Sequence, residues 1–318
     1  MADKCKAYKT SIGGQAVMEG VMMRGPESIA TAVRKPDKEI IVDKQPIGNA
    51  RKSKFVKLPI IRGCVNFIDS MVIGIKALMF SAKFFDIDDE GNEITEEPGK
   101  FEKWLTEKLG SEKAFNVLIY ISVALSVCLS VGLFMLLPAY LAGFVELFSD
   151  SHTLYIATEG VVRITLFVLY LVLVSQMKDI KRVFMYHGAE HKSIHCYEHG
   201  EELTVENVRK HTRLHPRCGT SFLLLVMVIS IILFFFIRFD NIFLKLLARL
   251  VLIPLVAGIS YEIIKFAGRH DNWFTRIISY PGMLFQHVTT REPDDSQIEV
   301  AIASLMAVIP EEKGSDQW

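Results

Sequence analysis

Proline is scarce, 11 in 318 residues, and an excess charge of either sign is missing: Lys+Arg and Asp+Glu each number 36. Few prolines in a chain that is 50% hydrophobic exclude a disordered or collagen-like polymer. Zero net charge leaves no domain-scale basic field for a phosphate backbone, so nucleic acid is not an expected partner. Cysteine is equally thin. Cys5, Cys64, Cys128, Cys196 and Cys218 are odd in number and scattered, which excludes a disulfide framework. The opening MADKCKAYKTSIGGQ lacks the apolar core of a signal peptide, so the start is expected to stay in a reducing cytoplasm.

Apolar sequence, by contrast, comes in blocks. A mean hydropathy of +0.29 in a chain with so many charges requires clustering, and points to a membrane protein with substantial soluble parts. The expected fold is mainly α, a polytopic membrane bundle of about four spans with a small N-terminal β unit and cytoplasmic amphipathic helices. Residues 1–58 form that β unit: the alternating runs at 29–33 and 39–43 flank Lys35-Pro-Asp-Lys38, a turn sequence. The glycine-rich string Gly13 to Pro26 reads as a buried, closely packed loop. Its Glu19 and Arg24 form either a buried ion pair or part of a pocket.

Residues 59–114 read as an amphipathic helix, its apolar run interrupted by Arg62, Asn66, Asp69, Lys76 and Lys83, followed by an acidic solvated linker at 86–100. A first pair of spans is expected in 115–177, with Glu159 and Arg163 four apart on one helix face and able to pair. A second pair is expected in 220–266, as Ser221–Ile237 and Ile242–Phe266. Between the pairs, the connector 178–219 carries Lys178, Lys181, Arg182, Lys192, Arg209, Lys210, Arg213 and Arg217, which predicts that it faces the cytoplasm together with both termini. The tail 267–318 holds an amphipathic helix capped by Asp294 or Asp295 and running to about Val308.

The connector is also where chemistry concentrates. His187, His191, His195 and His199 recur every four residues, so the first three share a helical face and two consecutive ones can hold a metal ion. With Glu190, the string His187-Gly-Ala-Glu-His191 is the inverted zinc-peptidase signature, two histidine ligands plus a carboxylate that polarises water. A second cluster, His215-Pro-Arg-Cys218, follows at the mouth of the next apolar block. Pairing His195 and Cys196 with His215 and Cys218 makes a closed site that is structural rather than catalytic. Glu262, an acid at membrane depth, is either a further ligand or the ion-pair partner of Lys265 or Arg163. Against all this stands a plainer explanation, a polar histidine-rich collar at the membrane surface. His152, His270 and His287 are expected to be ordinary surface or hydrogen-bonded residues.

The string from Gly13 to Pro26, His187-Gly-Ala-Glu-His-Lys-Ser-Ile-His-Cys-Tyr-Glu198, His215-Pro-Arg-Cys-Gly-Thr-Ser-Phe222 and Thr289-Thr-Arg-Glu-Pro-Asp-Asp295 together resemble the YqhQ-like family of bacterial integral membrane proteins. The resemblance covers almost the whole chain and implies a metal-dependent enzyme in a bacterial cell membrane. It implies no particular reaction.

The expected function is a membrane-embedded zinc hydrolase, a peptidase in its narrowest form, with its site at the cytoplasmic face. His187 and His191 bind zinc or another divalent transition metal, His215 or Glu262 completes the shell, and Glu190 is the general base. The alternative is a scaffold or sensor whose His195, Cys196, His215 and Cys218 hold a structural zinc. A transporter working as a homo-oligomer ranks last. Expected partners are the lipid bilayer and either a substrate or another protein.

Overall fold

A computed structural model describes residues 8–47, 58–84, 104, 106–108, 110–237, 239, 241–270, 272–312 and 314–317. The acidic run 86–100, Cys5 and Arg238 lie outside the described residues.

The N-terminal strands β1 (Gly13–Val17), β2 (Gly20–Arg24), β3 (Ser28–Arg34) and β4 (Ile40–Pro46) form an antiparallel meander in that order. The string expected to be a loop is therefore a hairpin. Val17 pairs with Gly20 across a two-residue turn, in which Glu19 adopts a positive φ of 47°. Gly20 is obligatory there, because a Cβ would run into the Ala32 carbonyl. The turn at Lys35–Lys38 forms as expected, the Lys38 amide donating to the Lys35 carbonyl at 2.9 Å.

Helices dominate the rest. In chain order they are α1 (Ile61–Ala82), α2 (Ser111–Val131), which runs through a π-helical turn at Gly132–Leu136 into α3 (Leu137–Gly143), α4 (His152–Val174), α5 (Lys178–Glu198), α6 (Val205–Lys210), α7 (Gly219–Phe234), α8 (Ile242–Arg269), α9 (Trp273–Thr289) and α10 (Asp295–Val308). Among the described residues, four stretches are long and apolar enough to cross a membrane: Ile61–Ala82, Tyr120–Gly143, His152–Val174 and Phe243–Arg269. The number matches expectation while the membership differs. The block expected at 221–237 is helical only over the 16 residues of α7, about 24 Å at 1.5 Å per residue, short of a bilayer core. The helix read as amphipathic, α1, joins the long apolar set instead.

The chain divides into two compact units, one of Met1–Phe85, Leu171–Ser230 and Leu250–Trp318, the other of Asp86–Tyr170 and Ile231–Arg249. In the first, the sheet is buried on both faces, which is why β2 is apolar at consecutive positions. One face packs Val21, Met23, Ala30 and Ala32 against Ile298, Ala301 and Leu305 of α10 and Tyr186 and Ala189 of α5. The other packs Val17, Met22 and Val33 against Ile73, Ala77 and Phe80 in the C-terminal half of α1. Helix α10 opens with a capping box in which Asp294 accepts from the Gln297 amide at 3.0 Å. The segment leading to it crosses α5 at Gly188, where a Cβ would collide with the Arg291 carbonyl. Near its two ends the chain meets itself: Tyr8 and Thr10 each donate a hydroxyl to Asp316 at 2.5 Å, and Thr10 bridges Gln317.

In the second unit, Glu159 and Arg163 pair as expected, and Arg249 joins them, donating to Glu159 at 2.7 Å. All three are buried, and both guanidinium groups lie over the Phe234 ring. Arg163 also donates through Nε to the Phe134 carbonyl at 3.1 Å, within the π-helical turn that perturbs the regular helix bonding.

Candidate metal centre

Helix α5 delivers the histidines on the face their spacing predicts, and the turn before α7 brings up the second cluster. His187 Nε2 lies 3.2 Å from Cys218 Sγ, and the His187 and His191 rings sit 4.4 Å apart, edge to face. The ligand atoms of His187, His191 and Cys218 all fall within 4.8 Å of one another. Each histidine is oriented from behind. His187 Nδ1 lies 2.8 Å from the Thr289 carbonyl and His191 Nδ1 2.6 Å from the Arg213 carbonyl. A carbonyl there requires the proton on Nδ1, so Nε2 is the atom each ring can offer to a ligand, and that of His187 faces Cys218.

Two buried atoms in this group have no hydrogen-bond partner among the described residues, His191 Nε2 and Glu190 Oε2. A desolvated polar atom without a partner costs about 1–3 kcal/mol, so their burial here suits a cation. Glu190 is fixed through its other oxygen, which accepts from the Gly14 amide at 3.0 Å, while Oε2 lies 4.0 Å from His187 Nε2. Gly14 has no room for a side chain: a Cβ would come within 3.0 Å of both the Met23 sulfur and the Glu190 carboxyl. Two nitrogens and one sulfur are a zinc-type donor set.

Electrostatics tie the group together. Burial pushes the Glu190 carboxyl above its ordinary range, against the pull of His187 and His191. Burial alone would raise the Cys218 thiol, but the His191 and His187 imidazoles outweigh it and hold it well below its usual value. Reciprocally, burial would lower His187, and the adjoining Cys218 thiolate lifts it to about 9.

The other predicted residues are placed elsewhere. His215 is not with His187. It groups with His195 and Glu198, and there the carboxylate is engaged by the protein: Glu198 Oε1 accepts from Arg217 and from the Thr10 amide, and Oε2 stands 3.7 Å from His215 Nε2. Burial takes His215 down to about 4. Arg217 and His215 hold Glu198 below the ordinary carboxylate range despite its burial. Cys196 lies beside Glu201 and His211 rather than Cys218, so the closed His195, Cys196, His215, Cys218 site does not assemble. Burial pushes the Cys196 thiol up to about 11. Glu262 pairs with neither Lys265 nor Arg163. Arg62 of α1 grips it, Nε donating at 2.5 Å, because Gly63 and Gly258 let α1 and α8 touch backbone to backbone. Glu19 likewise pairs with Arg182 of α5 and not with Arg24.

The residues that sequence reasoning passed over are mostly supports. Gln286 clamps both backbone groups of His215, each at 2.7 Å, and so sets the turn that presents Cys218. Thr289 and Arg213 contribute carbonyls, which carry no side-chain signature. A cavity of about 450 Å³ opens beside the group, lined by Glu190, His191 and Cys218 together with Gln15, Arg24 and Asn66.

The family described as "Protein of unknown function (DUF1385)" matches residues 58–311 of this chain. A protein of Bacillus subtilis strain 168 recorded as "Uncharacterized protein YqhQ" is 36% identical over 311 residues, covering 96% of this chain and 94% of that one. No solved structure matches.

Proposed function

From the premise that the chain belongs to the YqhQ-like DUF1385 family, we propose that it is a membrane-embedded, metal-dependent hydrolase whose ion, zinc by donor type, is held by His187, His191 and Cys218. The observation that carries this reading is the buried, unpartnered His191 Nε2 grouped with the ligand atoms of His187 and Cys218, beside the likewise unpartnered Glu190 Oε2 at 4.0 Å from His187 Nε2. Four long apolar helices support the membrane setting. The basic residues of 178–219 support a cytoplasmic site, and lipid is its standing partner.

A zinc ion so held would polarise a scissile carbonyl or phosphoryl group and an attacking water. Glu190 takes the proton of that water through Oε2, while the Gly14 amide keeps its carboxylate aimed. Its raised pKa suits a base working near neutral pH. Water oxygen bonds to the electrophilic centre, the bond to the leaving oxygen or nitrogen breaks, and the proton on Glu190 departs with that leaving atom. His187, His191 and Cys218 would supply three ligands to the ion, the number at which catalytic zinc keeps a place for water. Because Cys196 and His195 turn to other neighbours, a closed structural site has less support.

The 3.2 Å contact of His187 with Cys218 favours one other reading, a metal-free hydrolase with Cys218 as nucleophile. Loading with cobalt separates them. Purified protein is expected to take up about one ion per chain and show an intense thiolate charge-transfer band. His187→Ala/His191→Ala should abolish uptake. Glu190→Gln should keep the band and lose roughly 100-fold or more in turnover. A wild-type chain that takes up no cobalt would sink the metal reading.

A further inference from the structure

Two cavities meet at Cys218. The polar one beside the candidate metal centre is joined there by a second of about 540 Å³, which shares Cys218, Gly219, Arg217, Gln15, Asn66, Ser70 and Tyr261 and then runs along α1. Beyond the shared residues its lining is wholly apolar apart from Gly74: Phe67, Met71, Ile75 and Leu78 of α1, Phe222 of α7 and Ile264 of α8. From Phe67 to Leu78 the groove follows α1 for roughly 16 Å, about half the hydrocarbon thickness of a bilayer.

Helix α1 explains what such a groove opens to. One face of its C-terminal half is covered by the sheet. On the rest, Ile68, Met71, Val72, Ile75 and Met79 stand about half exposed, a stripe of large apolar side chains on a helix apolar enough for hydrocarbon. At the inner end the character reverses. Arg24 lines the polar cavity together with Arg217, which is paired with Glu198, Glu190 is the one acidic residue among its lining, and the N-terminus of α7 adds a positive dipole end at Gly219. An apolar channel of one leaflet's depth thus leads to a cationic chamber beside the metal ligands.

We infer that the substrate is a membrane lipid, its hydrocarbon chain lying in the groove between α1, α7 and α8 and its anionic head in the cavity against Cys218. This rests on the hydrolytic metal site proposed above and names the substrate class for it. The chain supplies binding energy away from the reacting bond and sets the depth at which the head is held.

The test uses the full chain in nanodiscs, loaded with cobalt, and a series of monoalkyl phosphates from ethyl to octyl titrated by calorimetry against empty nanodiscs. Each added methylene that enters the groove is expected to tighten binding about fourfold. Ile75→Trp, at an exposed position that the larger ring fills, should flatten the series while leaving ethyl phosphate affinity and the cobalt spectrum unchanged. A flat series in the wild type, or an equally steep one in Ile75→Trp, overturns the lipid assignment. The two failures leave different records. A thiolate band with a flat series keeps the metal and removes the lipid, whereas a steep series sensitive to Ile75→Trp without cobalt uptake keeps the lipid and removes the metal.

Discussion

Helix α5 carries two buried clusters of similar composition about two turns apart, and they differ in one respect. In the His187, His191, Cys218 group, three ligand atoms lie within 4.8 Å of one another and His191 Nε2 has no hydrogen-bond partner among the described residues. In the His195, Glu198, His215 group the carboxylate is already held by Arg217 and a backbone amide. The comparison teaches that ligand-type residues at ligand-type spacing do not make a site. What separates a binding centre from a polar strut is whether neighbouring charges and amides have satisfied the donors first.

Substitutions can break that contrast. Cys218→Ala should have the largest effect, cutting cobalt occupancy to below roughly a tenth and erasing the charge-transfer band, as read by mass spectrometry and absorption. Glu198→Gln, in the other group, should leave metal content intact and instead cost about 3 kcal/mol of stability by removing the carboxylate that Arg217 faces. Thermal melts would show it. Metal loss in that variant would mean that the two clusters are one site.

Acid sharpens the same distinction. His215 is lowered from its ordinary 6.5 to about 4, and Glu198 is lowered as well, so the unfolded chain binds more protons than the folded one. The contribution of His215, about 3 kcal/mol, is therefore complete above pH 6.5 and is lost as pH drops toward 4. A melting temperature that rises as pH drops from 6.5 to 4 would contradict the assignment. The smallest effect is expected from Cys196→Ala. Its buried thiol stays protonated, so the change should cost about 1 kcal/mol and leave metal binding unaltered.

The helical face of the histidines was legible because four-residue spacing fixes a face whatever surrounds it. The capped helix ending at Val308 and the β3–β4 turn were legible for the same local reason. Which residue joins His187 and His191 was not. That choice depends on Gln286 holding His215 from 71 positions away, and on Gly188 admitting the Arg291 carbonyl. Adjacency misled at Cys196, since neighbours on a helix point about 100° apart and His195 and Cys196 serve different clusters. The hairpin at Gly13–Arg24 was hidden because a strand buried on both faces loses its alternation.

The junction of Tyr8 and Thr10 with Asp316 has a consequence for how the molecule is made. The strands precede the long apolar helices in the chain, whereas α10, which packs on one face of the sheet, and Asp316 follow them. Throughout synthesis of the long apolar helices, that face of the sheet has no cover. Synthesis of α10 is therefore the step that closes it, and removal of α10 should yield an open sheet, prone to capture by chaperones and proteases.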